Sequence, residues 1–241
     1  KVDVYNRKDR FGKAYKQPRE YKGIRIIQIP TFKVSALNAF VYSVLASFRA
    51  LFGGYDCIHY HAEGPCAMMW LPKLFGIHTV ATIHGLDWQR AKWGGFSTKY
   101  LKLGEKCASK YADELIVLSN NNQKYFKETY GRDTHLIPNG IVKKNADYPA
   151  RDISEIFGLQ KDGYILFLAR IVPEKGLHYL IEAFKAVETN KKLVIAGDLT
   201  PGNEYVEKIK KMASEDERII LTGFVQGRLL DELFSNCYIY V

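Results

Sequence analysis

The first 141 residues alternate between short apolar runs and longer stretches whose apolar positions recur at helical spacing. Gly23–Ile29 (GIRIIQI), Asp56–Tyr60, His78–Ile83, Glu114–Leu118 and His135–Ile137 have the length and β-branched content of strands. Between them, Ser35–Phe52, Pro65–Phe75, Thr98–Tyr111 and Asn122–Tyr130 read as helices. In the first of these, Phe40, Val41, Val44, Leu45, Phe48, Leu51 and Phe52 fall on one helical face. Val2–Tyr5 alternates like a strand already under way. A second series follows: strands at Tyr164–Ala169, Lys192–Ala196, Ile219–Leu221 and Tyr238–Val241, helices at Gly176–Val187, Glu204–Ala213 and Leu229–Phe234.

Strand–helix alternation with short connections requires parallel strands joined by right-handed crossovers, so each series predicts a doubly wound, Rossmann-like α/β sheet. Pro138-Asn139-Gly140 interrupts the rhythm, and polar residues Lys143–Arg151, with Pro149, read as a linker. The expected domains are residues 1–142 and 143–241. The chain opens on Lys1 and stops within an apolar run at Cys237–Val241, so a segment of a longer protein, incomplete at both ends, is expected.

Composition narrows the picture. Apolar residues make up 47% of the chain and aromatics 13%, too many for a disordered segment. Net charge is +9, and residues 1–50 hold eleven Lys/Arg against three acids, +8 of that excess. Such a segment suits anionic lipid headgroups, nucleic acid or phosphorylated substrates; the plainer reading is a solvated loop. Cys57, Cys66, Cys107 and Cys237 lie far apart with no C-x-x-C pair, which points to reduced thiols and a cytoplasmic protein. No signal peptide opens the chain. Ala36–Phe52 has about the minimum length for a membrane span, but Asn38, Ser43, Ser47 and Arg49 interrupt it, which favours an amphipathic helix packed on a sheet.

In open α/β sheets ligands bind beyond the carboxyl ends of the strands. After His78–Ile83 come His84, Gly85, Asp87, Trp88, Arg90, Lys92, Trp93, Gly94 and Gly95. Glycines there let backbone approach a ligand, and tryptophan faces beside polar groups suit sugar rings; otherwise the tryptophans simply cover the sheet. After Tyr164–Ala169, Arg170 and Lys175 stand five residues apart across a turn containing Pro173, just before a helix. Helix N-termini favour anions, arginine binds phosphate bidentately and lysine adds a point charge, so a diphosphate fits this turn. Plain surface charge is the alternative. Gly197-Asp198 and Gly223-Phe224-Val225 also follow strands, and the backbone of 223–225 is placed to read a nucleobase edge.

Several chemistries lack their signatures. There is no G-x-G-x-x-G, no P-loop, no G-x-S-x-G and no D-x-D, the usual handle for a metal-bridged diphosphate. His59-x-His61 puts two imidazoles on one strand face without a nearby third ligand, so no metal is expected.

Taken in order, IHYHAEGP at 58–65, TIHGLDW at 82–88, ADELIVLS at 112–119, LIPNGI at 136–141, ILFLARIVPEKGLHYLIEAF at 165–184, LVIAGD at 193–198 and IILTGFV at 219–225 resemble glycosyltransferase family 4, retaining enzymes of GT-B fold. The resemblance spans most of residues 55–241. It implies that Arg170 and Lys175 bind the diphosphate of a UDP-, GDP- or dTDP-sugar and stabilise its departing charge. It puts Gly197, Phe224 and Val225 at the donor, His84 beside the reacting carbon, and Asp87, Trp88, Arg90 and Lys92 on the acceptor side, with no metal or other cofactor. The H-G-x-D-W-x-R-x-K-W run resembles the capsule and cell-surface polysaccharide branch. That implies a glycan or lipid-linked acceptor at the inner membrane surface, no nucleic acid partner, and a peripheral contact through residues 1–50.

Two departures stand out. Ala169 replaces a glycine common in the family, and both the family's first strand and its E-x7-E segment fall outside the chain, so the segment alone is expected to be inactive. A GT-B epimerase or phosphorylase, or a non-catalytic membrane- or partner-binding module, are the alternatives.

Overall fold

The structure is a computed structural model. It describes residues 1–7, 18–31, 35–89, 95–141 and 147–241, the side chains of 35–37 excepted. The chain divides into two compact units, Lys1–Ile141 and Val142–Val241.

Among the described residues the first unit holds two sheets rather than one. In the smaller, β1 (Asp3–Arg7) pairs in parallel with β3 (Ile24–Ile29), and the short β2 (Glu20–Tyr21) pairs antiparallel to β3. The larger runs β4 (Cys57–His61), β5 (His78–Ile83), β6 (Glu114–Val117), β7 (His135–Leu136), all parallel and in chain order. A cavity of about 750 Å3 is lined by residues of β1, of β4 and of α1 (Ser35–Leu51). Tyr55, just before β4, reaches β1 through a 2.6 Å bond from its hydroxyl to Asp3. Among the described residues no helix is long and apolar enough to cross a membrane.

The predicted helix Pro65–Phe75 is two short ones, α2 (Glu63–Cys66) and α3 (Trp70–Leu74). A continuous helix through this stretch would have to pass Pro72, which cannot donate the bond a mid-helix residue gives. α4 (Phe96–Tyr111) crosses α2 so closely that a Cβ on Gly104 would lie 1.9 Å from the Glu63 carbonyl oxygen. α5 (Asn120–Tyr130) is capped by the Ser119 hydroxyl, which accepts from the Asn122 N–H. The core of this unit gathers Ala81, Ile83, Leu115 and Val117 from the sheet with Met69 from the turn between α2 and α3, Ala108 from α4 and Phe126 from α5.

In the second unit β8 (Tyr164–Leu168), β9 (Lys192–Ala196), β10 (Ile219–Gly223) and β11 (Ile239–Tyr240) are parallel in the order β10-β9-β8-β11. Alternation along the strands divides their side chains between two cores. Phe167, Leu193 and Ile195 meet α7 (Leu177–Lys185) and α8 (Glu204–Ser214) through Ile181, Phe184, Val206 and Ile209. Tyr164, Leu166, Val194 and Ala196 face the other way, toward Ile153 of α6 (Asp152–Phe157) and Leu233 of α9 (Gly227–Asn236). Both faces are therefore covered, which is why the strands read as unbroken apolar runs rather than alternating ones. α6 is absent from the sequence reading. Its six residues are too few to show a helical period, and burial of Ile153 with a contact to α9 holds it.

Candidate functional site

Strand order in the second unit reverses at β8: β9 and β10 lie to one side, β11 to the other. Crossovers on opposite faces part there and leave a crevice at the carboxyl end of the strand. The residue two beyond that end is Arg170. The loop then makes a 3-10 turn at Pro173–Lys175 and enters α7 at Leu177, one residue later than its sequence suggested. Arg170 and Lys175 are both exposed, and neither side chain has a partner among the described residues.

The loop is held by close backbone packing. The Ala169 N–H donates to the Ala196 carbonyl, and the Gly197 N–H to the Gly223 carbonyl. A Cβ at Gly197 would stand 2.4 Å from the Ala169 carbonyl oxygen and 3.0 Å from the Ile171 side chain, so only glycine lets β9 end this close to the Arg170 loop. Phe224 is 69% exposed beside it, whereas the Val225 side chain is buried with Ile153, Leu166 and Leu233. Any ligand contact at 225 falls to the backbone.

In the first unit, the loop after β5 makes a 3-10 turn at Asp87–Gln89. Trp88 is tied down: its indole N–H donates to Glu105 Oε2 at 2.8 Å, and the Lys102 ammonium lies 4.4 Å from its ring centre. Glu105, 1% exposed on α4, also accepts from the hydroxyls of Tyr125 at 2.8 Å and Tyr130 at 2.5 Å. Beside it Glu63 is fully buried with neither carboxylate oxygen hydrogen-bonded. Burial first, then the negative charges of Glu105 and Asp87, push its carboxyl up to about 8. Trp88 thus anchors the loop to the unit's interior, and one ring face is taken by a lysine. Arg90 and Lys92 lie outside the described residues, as does Trp93.

His84 stands at the open end of β5, exposed, its Nε2 3.1 Å from His61 Nδ1. His59 lies against His61 with ring centres 4.2 Å apart, and its Nε2 meets the Thr82 hydroxyl at 2.8 Å. Both rings are exposed, and partial desolvation, helped by the neighbouring imidazoles, lowers the pKa of His59 and of His61. Among the described residues no group of three or more His, Cys, Asp or Glu is arranged to hold a metal. Residue reasoning missed Glu105, Tyr125 and Tyr130, which are far from the loop in sequence. It noted His59 and His61, but their link to His84 depends on the β4–β5 register.

Two successive parallel-stranded α/β units, the second with a cationic turn beyond β8, are the GT-B glycosyltransferase architecture. Over 99% of the chain the fold matches sucrose-phosphate synthase from Thermosynechococcus elongatus with TM-score 0.77 at 21% identity, covering 64% of that protein. Over 90% it matches Anabaena HepE in complex with UDP-glucose with TM-score 0.71 at 19% identity, covering 60% of that chain. Residues 1–144 match the Glycosyltransferase Family 4 model and residues 150–241 the Glycosyl transferases group 1 model. The chain belongs to glycosyltransferase family 4. It is 26% identical over 190 residues to an uncharacterized glycosyltransferase of Bacillus subtilis, covering 76% of this chain and 50% of that one. It is 24% identical over 174 residues to the capsular polysaccharide biosynthesis glycosyltransferase CapM of Staphylococcus aureus, covering 67% of this chain and 45% of that one. The chain spans about half the length of these curated relatives.

Proposed function

We propose that the protein to which this chain belongs transfers a hexose-type sugar from a nucleotide-diphosphate donor to a glycan or lipid-linked acceptor, with retention and without a metal. The single observation that carries this reading is the pair of exposed cations, Arg170 and Lys175, left without partners among the described residues on the loop beyond β8. Arg170 takes two phosphate oxygens through its planar fork and Lys175 a third as a point charge. Their positive charge grows in value as the leaving diphosphate accumulates negative charge, which lowers the barrier to departure. With that charge supplied by side chains, the reaction needs no divalent ion. The backbone at Gly223–Val225 and the exposed ring of Phe224 serve the nucleobase, and His84 serves the reacting sugar.

The bound UDP-glucose of HepE supports the nucleotide-sugar assignment, and the likeness to CapM supports a role in capsular or other cell-surface polysaccharide synthesis; a cytoplasmic membrane surface is the location proposed for it. The basic residues 1–50 suit that surface. Thermal-shift titration of the chain with UDP-, GDP- and dTDP-glucose tests the donor. At a hundred times its Kd a ligand stabilises by about 2.7 kcal/mol. Arg170→Ala and Lys175→Ala should each abolish the shift; retention of the shift in both variants rejects the phosphate assignment.

A further inference from the structure

The parallel register pairs His61 with Thr82, two residues before His84. Because side chains alternate along strands, Thr82 and His84 share one face of β5, and His59 and His61 the same face of β4. The result is a chain of contacts: the buried Thr82 hydroxyl holds His59, the His59 ring lies against His61, and His61 Nδ1 meets His84 Nε2. Two imidazole nitrogens 3.1 Å apart share one proton: one nitrogen must carry it and the other must be bare. A neutral histidine side chain favours the proton on Nε2. Putting it there in both residues makes His84 the donor and His61 Nδ1 the acceptor, and satisfies the bond with each ring in its preferred form.

We propose that His61 is a positioning residue that fixes the ring orientation and tautomer of His84, so that His84 presents a bare Nδ1 to the ligand. A bare Nδ1 only accepts, which suits a hydroxyl of the sugar or of the attacking acceptor. The lowered pKa of His61, caused by partial desolvation and by His84, leaves it neutral and able to accept near neutrality. This role for His61 rests on the assignment of His84 to the sugar, but its test does not.

The test is imidazole 15N NMR of the chain at pH 7.5, without ligand, on the parent and two variants. The parent should show His84 as a single Nε2–H tautomer with Nδ1 unprotonated. His61→Phe keeps a ring against His59 but removes the acceptor, and should shift His84 to averaged nitrogen signals with a faster-exchanging Nε2 proton. His61→Asn places an amide oxygen where Nδ1 stood and should restore the parent signals. Backbone amide spectra identify any variant that has lost its fold. In a folded His61→Phe, a His84 spectrum identical to the parent overturns the proposal, as does an Nδ1–H tautomer in the parent. A separate titration with UDP-, GDP- and dTDP-glucose distinguishes the two readings. Its failure would reject the donor assignment and leave the His61–His84 pairing standing, while the NMR result can fail with nucleotide binding intact.

Discussion

The loops beyond β5 and β8 each leave the carboxyl end of a parallel strand, yet they are built in opposite ways. The β5 loop spends its polar groups internally: Trp88 on Glu105 and His84 on His61. The β8 loop is fixed by backbone packing at Gly197 and leaves Arg170 and Lys175 without side-chain partners among the described residues. A loop that holds its rings in orientation is stabilised by its own bonds. On the proposed function, cations left unpaired on the β8 loop suit a diphosphate, since an arginine already paired gains little from a phosphate.

Mutation should expose this contrast, and the largest effect is expected at Glu105. Glu105→Ala strands the Trp88, Tyr125 and Tyr130 donors and opens a cavity, and should destabilise the first unit by about 3–5 kcal/mol. All three tryptophans, Trp70, Trp88 and Trp93, lie in that unit, so urea unfolding followed by tryptophan fluorescence reads it separately. A loss under about 1 kcal/mol would mean the network does not anchor the loop.

Gly197→Val should be next. Its side chain would collide with the Ala169 carbonyl, with an expected cost of roughly 2–3 kcal/mol in far-UV circular dichroism and loss of nucleotide binding. Unaltered nucleotide affinity would show that the Arg170 loop does not depend on that packing.

Buried carboxylates sharpen the comparison further. Glu63 and Glu232 are both 0% exposed. Burial raises Glu63 from the ordinary 4.5 to about 8, so the proton it holds favours folding below pH 4.5, and that stability is lost as pH rises toward 8. For Glu232 burial acts in the same direction, but the Ile153 N–H and the Arg228 guanidinium outweigh it and lower the pKa, so its stabilisation persists above the ordinary value and is lost in acid. Tryptophan fluorescence should therefore show the first unit weakening from pH 5 to 8. Glu63→Gln should remove that slope and stabilise by about 1–3 kcal/mol at pH 8. An unchanged slope would place the titrating group elsewhere.

The smallest stability effect belongs to the loop with the largest functional one. Arg170→Ala and Lys175→Ala should each change unfolding free energy by under about 0.5 kcal/mol, as solvent-exposed changes do, while removing nucleotide-induced stabilisation. A larger loss of stability would mean that these side chains support the fold.

The order of strands and helices was legible in the chain because burying a sheet on both faces demands apolar runs such as KLVIA at 192–196, with amphipathic helices between them. The turn carrying Arg170 and Lys175 was legible for the same reason: it follows a strand directly, and its chemistry lies within six consecutive residues. What sequence could not fix was anything set by contacts distant along the chain. The division of the first unit into two sheets, the binding of Trp88 by Glu105 seventeen positions away, and the approach of His61 to His84 all depend on strand register and helix packing. A one-residue slip between β4 and β5 would send those imidazoles to opposite faces, and local propensity does not set that register. Sequence determined which groups stand at the ends of the strands; tertiary structure decided which of them are bound internally and which remain free for a ligand.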